Sequence, residues 1–232
     1  MIKENLAQIS QRIKVAAQRA GRNPDSVRLI CVTKSATVEQ VEEAISSGVT
    51  DIGENRVQDA LLKFNQLTES LKKTKCHMIG HLQTNKVKKC LKVFDIIHSL
   101  DSLGLAAEID KRALSLNKRI DCFIEVNTSS EPQKYGIDPK SAEEFIRKAA
   151  EFQHIRVIGL MTMAPFVEDK EEARPFFTKL RKLKDKFQAL SIPNTDIREL
   201  SMGMSQDFEV AVEEGATFVR IGSAIFNSAP KL

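Results

Sequence analysis

Lys34 follows the apolar run Arg28–Thr33 (RLICVT) without a spacer. A lysine at such a strand end projects its ammonium past an apolar wall. Partial desolvation there lowers its proton affinity and leaves an amine able to form a Schiff base. A surface lysine in a lysine-rich chain is the competing reading, and on this residue alone it carries more weight. Two later segments suit an anion. Ser201-Met202-Gly203-Met204-Ser205 and Arg220-Ile221-Gly222-Ser223 place small residues and hydroxyls where backbone N–H groups can come close to a ligand. Ser205 also precedes a helical stretch, and helix N-termini favour phosphate. Tight turns and caps account for the same residues without a ligand. Arg220 interrupts the apolar segment Phe218–Ile221 (FVRI). Facing inward it needs an anion or acceptor; facing outward, or paired to a carboxylate such as Glu199, it needs nothing more. Asn55 (GENRVQ) and His81 (IGHLQTNK) also follow strand-like segments. A helix-capping asparagine and a satisfied strand-end histidine are the plain alternatives for these two.

The elements that must position these residues alternate regularly. Ile2, Leu6, Ile9 and Ile13 recur at helical spacing until Gly21 and Pro24 stop the pattern. Strands are expected at 28–33, 51–53, 77–80, 95–99, 120–126, 155–161, 198–202 and 218–221. The spacing predicts helices after each of the first seven. Thr37 and Gln40 form a capping box for a helix to about Ser47, and a helix runs from Val57 into the Leu71 region. Others cover 84–91, 102–116, 138–152 (with Asp138 as cap and Pro139 at its first position), 170–190 and 206–214. Eight strands alternating with helices are the rhythm of an α/β chain folded as a (β/α)8 TIM barrel, with the opening helix as an extra. A doubly wound open sheet shares the local pattern. No Pro/Gly/Ser-rich break divides the chain, so a single domain over 1–232 is expected. In a barrel, chemistry collects at the C-terminal ends of the strands, where all the residues named above would lie.

Composition excludes several classes of function. With 42% hydrophobic and 28% charged residues the chain is an ordinary globular protein, which excludes disorder and low complexity. A formal net charge of +4 is small for a dedicated nucleic-acid binder. The lysine clusters at 72–75, 86–92 and 179–186 read as solvated helix faces, so no nucleic-acid partner is expected. The four cysteines, Cys31, Cys76, Cys90 and Cys122, show no metal-site spacing and read as buried free thiols of a reducing compartment. No metal is expected. No signal peptide or membrane-spanning run is seen, which points to the cytoplasm and no membrane association.

Taken together, the segments VTKS, DIGENRVQ, IGHLQTNK, EVNTS…KYGI, GLMTMAP and LSMGMSQDFEVAVEEGATFVRIGSAIF resemble the pyridoxal-phosphate homeostasis proteins of the YggS/PROSC type. The resemblance runs from the first strand to the last. It implies a fold-type III pyridoxal 5′-phosphate (PLP) barrel like the N-terminal domain of alanine racemase. It further implies that Lys34 is the Schiff-base lysine and that Arg220 faces the pyridine nitrogen. Ser201, Met202, Ser205, Gly222 and Ser223 would hold the phosphate, and Asn55 and His81 would line the cofactor pocket. The chain departs from the family pattern at Thr37, Ser223 and Asn227, where proline, threonine and glycine are more usual.

The resemblance implies cofactor binding for PLP (vitamin B6) homeostasis, with transfer to PLP-dependent apo-enzymes, rather than robust catalysis. A racemase needs a second acid/base from an added domain and a partner subunit, for which the barrel leaves no residues. The single tyrosine, Tyr135, lies in a loop and is a poor substitute. A monomer is expected, with no catalytic residues assigned. The alternative is a PLP-dependent enzyme of the alanine racemase type with weak amino-acid racemase activity.

Overall fold

Parallel strands are covered on both faces, so they carry apolar runs rather than an alternating pattern. Strand β1 (Arg28–Val32) ends in three buried residues, and β4 (Ile96–Leu100) is buried throughout. The computed structural model describes residues 1–67, 69–129, 131 and 133–227. Eight parallel strands close there into a barrel in sequence order, with β8 pairing back onto β1. The others are β2 (Asp51–Glu54), β3 (Lys75–Met78), β5 (Ile120–Glu125), β6 (Ile155–Met161), β7 (Thr195–Ser201) and β8 (Phe218–Ile221). This is the expected (β/α)8 fold and not the open sheet. The expected extent, 1–232, includes 228–232, which lie outside the described residues.

The helices are α1 (Ile2–Arg19), α2 (Val38–Ser46), α3 (Val57–Phe64), α4 (Val87–Cys90), α5 (Leu103–Ser115), α6 (Ala142–Ala149), α7 (Arg174–Ala189), α8 (Phe208–Glu213) and α9 (Ser223–Phe226). The Thr37–Gln40 capping box forms at α2 with both of its hydrogen bonds. The extra helix α1 buries Ile2, Leu6, Ile9 and Ile13 and seals the seam where the barrel closes. Asn5 there donates to the Ile225 carbonyl at 2.9 Å, and Arg22, just past the helix, donates to the carbonyls of Val212 and Ala216.

Several boundaries differ from expectation. Strand β3 begins at Lys75, not at His77, because the exposed Lys75 and the inward His77 interrupt its apolar residues and hide the strand from an apolar search. Helix α6 begins at Ala142. Asp138 accepts instead from the Lys140 N–H at 2.7 Å and holds a turn before the helix. Helix α3 ends at Phe64, with a separate short turn at Ser70–Lys73. The four cysteines are buried and unpaired, and burial pushes the thiols of Cys31, Cys76 and Cys90 up to about 12. Among the described residues no helix is long and apolar enough to cross a membrane, and no cluster of three metal-ligating side chains occurs.

Candidate functional site

Lys34 stands one residue past Thr33, at the mouth of the barrel, and its side chain is exposed. The strand end beneath it is clamped from behind. The buried Thr33 hydroxyl donates to Glu54 Oε1 at 2.7 Å. Lys63 Nζ, from α3, donates to the same carboxylate oxygen at 2.7 Å and to the Thr33 carbonyl at 2.5 Å. Glu54 is fully buried, so its charge requires this partner. The clamp fixes the ends of β1 and β2 and so fixes Lys34 relative to the half-buried Asn55.

Arg220 points into the barrel. It is 4% exposed. Its Nη1 donates to Ser201 Oγ at 2.7 Å and its Nη2 to the Thr162 carbonyl at 3.0 Å. Glu199 is engaged elsewhere, with Arg28 at 3.2 Å. Burial lowers the Arg220 guanidinium to about 10, against the opposing pull of Asp207 and Glu125. It therefore stays charged at neutral pH, with donors to spare among its five N–H groups.

The two small-residue segments meet above it. Ser223 Oγ and Ser205 Oγ lie 3.0 Å apart, and the Ala224 N–H points at Ser205 Oγ at 3.5 Å. Gly203 makes the turn possible: its φ is +92°, and a Cβ there would sit 2.5 Å from that of Ala211. Asp207 closes the loop by accepting from the Met204 N–H at 2.6 Å. Ser201 and Met202 do not join this pair through their side chains. The Ser201 hydroxyl bonds Arg220 and His98 inside the barrel, and Met202 is buried in the layer between strands and helices.

His81 sits on the other side of the mouth. Its Nδ1 lies 3.4 Å from Asp101 Oδ2, and its ring stacks on Tyr135 with centroids 3.9 Å apart. Tyr135 reaches it because the chain folds back after β5. Ile137 N–H donates to the Glu125 carbonyl, and Asn127 N–H donates to that of Ile137. Gly136 permits the approach: its φ is +103°, and a Cβ there would meet Asn127 N at 2.9 Å. A cavity of about 760 Å³ runs along this side, lined by Asn55, Arg56, Gly80, His81, Lys86 and Tyr135. Glu125 faces the same mouth. Burial and the Asp101 charge push its carboxyl up to about 7, although Arg220 opposes them.

Comparison with known proteins decides the family. The profile of "Alanine racemase, N-terminal domain" matches residues 5–230. The pyridoxal phosphate homeostasis protein of Aquifex aeolicus is 43% identical over 223 residues, covering 96% of each chain. The chain belongs to the pyridoxal phosphate homeostasis protein family. The Escherichia coli K12 member is 34% identical, over 98% of this chain and 96% of that one. Among solved structures, PipY of Synechococcus elongatus, crystallised with PLP bound, superposes with a TM-score of 0.85 at 34% identity. It is covered over 100% of its length and covers 97% of this chain. The alanine racemase of Clostridium difficile shares the barrel at a TM-score of 0.73 but only 16% identity, and the match covers 57% of that chain.

Within this family frame, the structure gathers Lys34, Asn55, His81, Arg220, Gly222, Ser205 and Ser223 at the strand ends or the loops after them. The residues that sequence reading missed lie underneath or behind. Asp51, His77, His98 and Glu125 face inward, and Lys63 braces Glu54 at the rim from outside, whereas Glu54 and Thr162 stand out in the sequence as polar residues at the ends of the second and sixth strands. For Asp51, His77, His98 and Glu125 the signal was a polar side chain inside a short apolar strand, the same signal that singled out Arg220; Lys63, on α3, carried none.

Proposed function

We propose that this chain binds PLP at the barrel mouth, holds it as a Schiff base on Lys34, and stores it or passes it to PLP-dependent apo-enzymes in the cytoplasm, acting as a monomer. The observation that carries the reading is the convergence of three donor types on one opening. These are the exposed primary amine of Lys34, the buried guanidinium of Arg220 and the hydroxyl pair Ser205–Ser223. This donor set fits an aldehyde, a ring nitrogen and a phosphate. Homologues named for PLP homeostasis and the PLP-bound PipY structure support it.

When bound, PLP supplies an aldehyde that condenses reversibly with an amine and a ring that draws electrons. Lys34 provides the amine. Ser205, Ser223 and the backbone at Gly222 hold the phosphate. Asn55 and His81 line the pocket, and Ser201 acts on Arg220 instead of on the phosphate. Arg220 keeps its own proton at neutral pH, so it would donate a hydrogen bond to the ring nitrogen without protonating it, and the ring would be a weak electron sink. That favours holding the cofactor over amino-acid chemistry.

A second reading, weak amino-acid racemisation, is favoured by one observation: Glu125 and the His81–Tyr135 pair place groups able to carry protons at the same mouth. Two measurements test the readings, the first for the cofactor on Lys34 and the second for turnover. Purified wild type and Lys34→Ala are loaded with PLP, and absorbance is recorded before and after borohydride. The expected result is a visible band in wild type only, bleached on reduction, with a pyridoxyl adduct mapped to Lys34. A protein that stays colourless with added PLP overturns the reading. Isotope exchange at the α-carbon of added amino acids, lost in Lys34→Ala, would favour the racemase.

A further inference from the structure

The barrel interior contains an unbroken line of hydrogen bonds from its floor to Arg220. Thr50 Oγ1 donates to Asp51 Oδ2 at 2.7 Å, at the start of β2. Asp51 Oδ1 lies 2.9 Å from His77 Nε2 on β3. His77 Nδ1 lies 2.9 Å from His98 Nε2 on β4, and His98 Nδ1 lies 2.9 Å from Ser201 Oγ at the end of β7. Ser201 Oγ accepts from Arg220 Nη1 on β8 at 2.7 Å. His77, His98 and Ser201 are fully buried.

With both imidazoles neutral, one arrangement of protons gives every donor on this line an acceptor. Arg220 has only donors, so Ser201 Oγ accepts from it and turns its own hydrogen to His98 Nδ1. His98 then carries its hydrogen on Nε2 and donates to His77 Nδ1. His77 in turn donates from Nε2 to the Asp51 carboxylate. Burial holds His98 uncharged, reinforced by its neighbours His77, Arg220 and Arg28 in that order. Burial works against the Asp51 charge, but the bonds from His77 and Thr50 outweigh it and keep the carboxyl below its ordinary range. The line thus has a fixed polarity, with a cation at the mouth and an anion at the floor. The other charged groups facing it are Arg28 from β1 at the floor, and Glu125 from β5 and Asp207 from the β7–α8 loop beside Arg220. Folding alone does not call for such a line, because apolar side chains of similar volume fill a buried space at no greater cost.

We propose that Asp51, His77, His98 and Ser201 form a one-way relay that sets how strongly Arg220 donates to the ligand at the mouth, which makes Asp51, at the far end of the barrel, a positioning residue for the cofactor. Chains of hydrogen bonds polarise one another. The Asp51 charge draws each proton toward the floor, makes Ser201 Oγ a better acceptor and leaves the guanidinium a weaker donor at the mouth. The inference rests on the reading that Arg220 faces the PLP ring nitrogen.

The test uses the full chain, wild type and variants, with two readouts. Nitrogen NMR of the imidazoles, without added ligand, is expected to find His77 and His98 both protonated at Nε2 and bare at Nδ1. The second readout is the pH midpoint at which the absorbance band of protein-bound PLP changes. Asp51→Asn removes the negative end, strengthens the Arg220 donor and lowers the midpoint. Thr50→Val takes one hydrogen bond from the Asp51 carboxylate, leaves it a stronger acceptor and raises the midpoint. It also serves if Asp51→Asn fails to fold. In a Ser201→Ala background both shifts vanish. Opposite signs from two neighbouring substitutions are not what general loosening of the fold produces. A proton on Nδ1 of either imidazole, or a midpoint unmoved by both substitutions, overturns the relay and leaves the cofactor reading standing. A wild type that forms no band overturns the cofactor reading and the relay's role in it together, whatever the tautomers.

Discussion

The barrel has two interiors, and they are built differently. Between strands and helices runs a continuous apolar layer, including Ile52, Leu91, Phe177, Phe187 and Phe208, all essentially inaccessible to water. Inside the strands the apolar cluster is only Ile30, Ile96, Phe123, Ile158, Met161 and Phe218. Much of the remaining space there is given to Asp51, His77, His98, Ser201, Arg220 and Glu125. His98 stacks on Phe123 with centroids 4.3 Å apart, so the polar line is packed against the inner apolar cluster. The outer layer gains stability from area removed from water. The inner one holds charges whose desolvation costs are offset only by their partners. Substitutions outside should therefore act on stability at any pH, and those inside on charge and ligand, with any change in stability depending on pH.

The largest effect tests the outer layer. Phe177→Ala opens a cavity against α7 and is expected to cost about 3–5 kcal/mol in urea unfolding, while the folded fraction keeps the wild-type absorbance band with PLP. A lost band at full folding would break the division between the two interiors. A smaller effect of opposite sign comes from inside. The Glu125 carboxyl is pushed up to about 7, so the folded chain binds its proton more tightly than the unfolded chain does. Stability from this group falls as pH rises from the unfolded carboxyl range to about 7. Glu125→Gln removes that loss and should be about 1–3 kcal/mol more stable than wild type near pH 8, with no gain near pH 4. A difference that does not change with pH would show that Glu125 is not strained. The smallest effect lies on the surface. Thr37→Ala removes the capping box of α2 and should cost about 1 kcal/mol by urea unfolding, leaving PLP affinity unchanged.

The same division explains what could be read from the sequence. The outer layer writes itself as periodic apolar residues, so β6 and β8 were found residue for residue and α1 and α2 within a position or so. In β3 the exposed Lys75 and the inward-facing His77 take apolar places, and there the expected strand slid two residues toward Ile79 and Gly80. Lys34, Arg220 and the two serine segments were legible because they stand at strand ends in runs otherwise apolar or small. The relay was not, because pairing Asp51 with His77 requires the register of β2 against β3, and pairing His98 of β4 with Ser201 of β7 requires knowing which strands face each other across the barrel. Tyr135 was set aside as a loop residue, and only the fold-back at Gly136 brings its ring onto His81.

The floor of the barrel has a consequence of its own. Arg28 lies flat over Phe218, 4.0 Å from the ring centroid, and is tied to Glu199, while Arg156 grips Asp121 with two hydrogen bonds beside it. Phe218 and Phe123 above them are sealed from water. Among the described residues these contacts close the floor, and the mouth is the open end. For a carrier, loading and delivery must then take turns at the same threshold. A recipient enzyme and incoming free cofactor would contend for one rim, so a surplus of cargo in solution would itself slow hand-over.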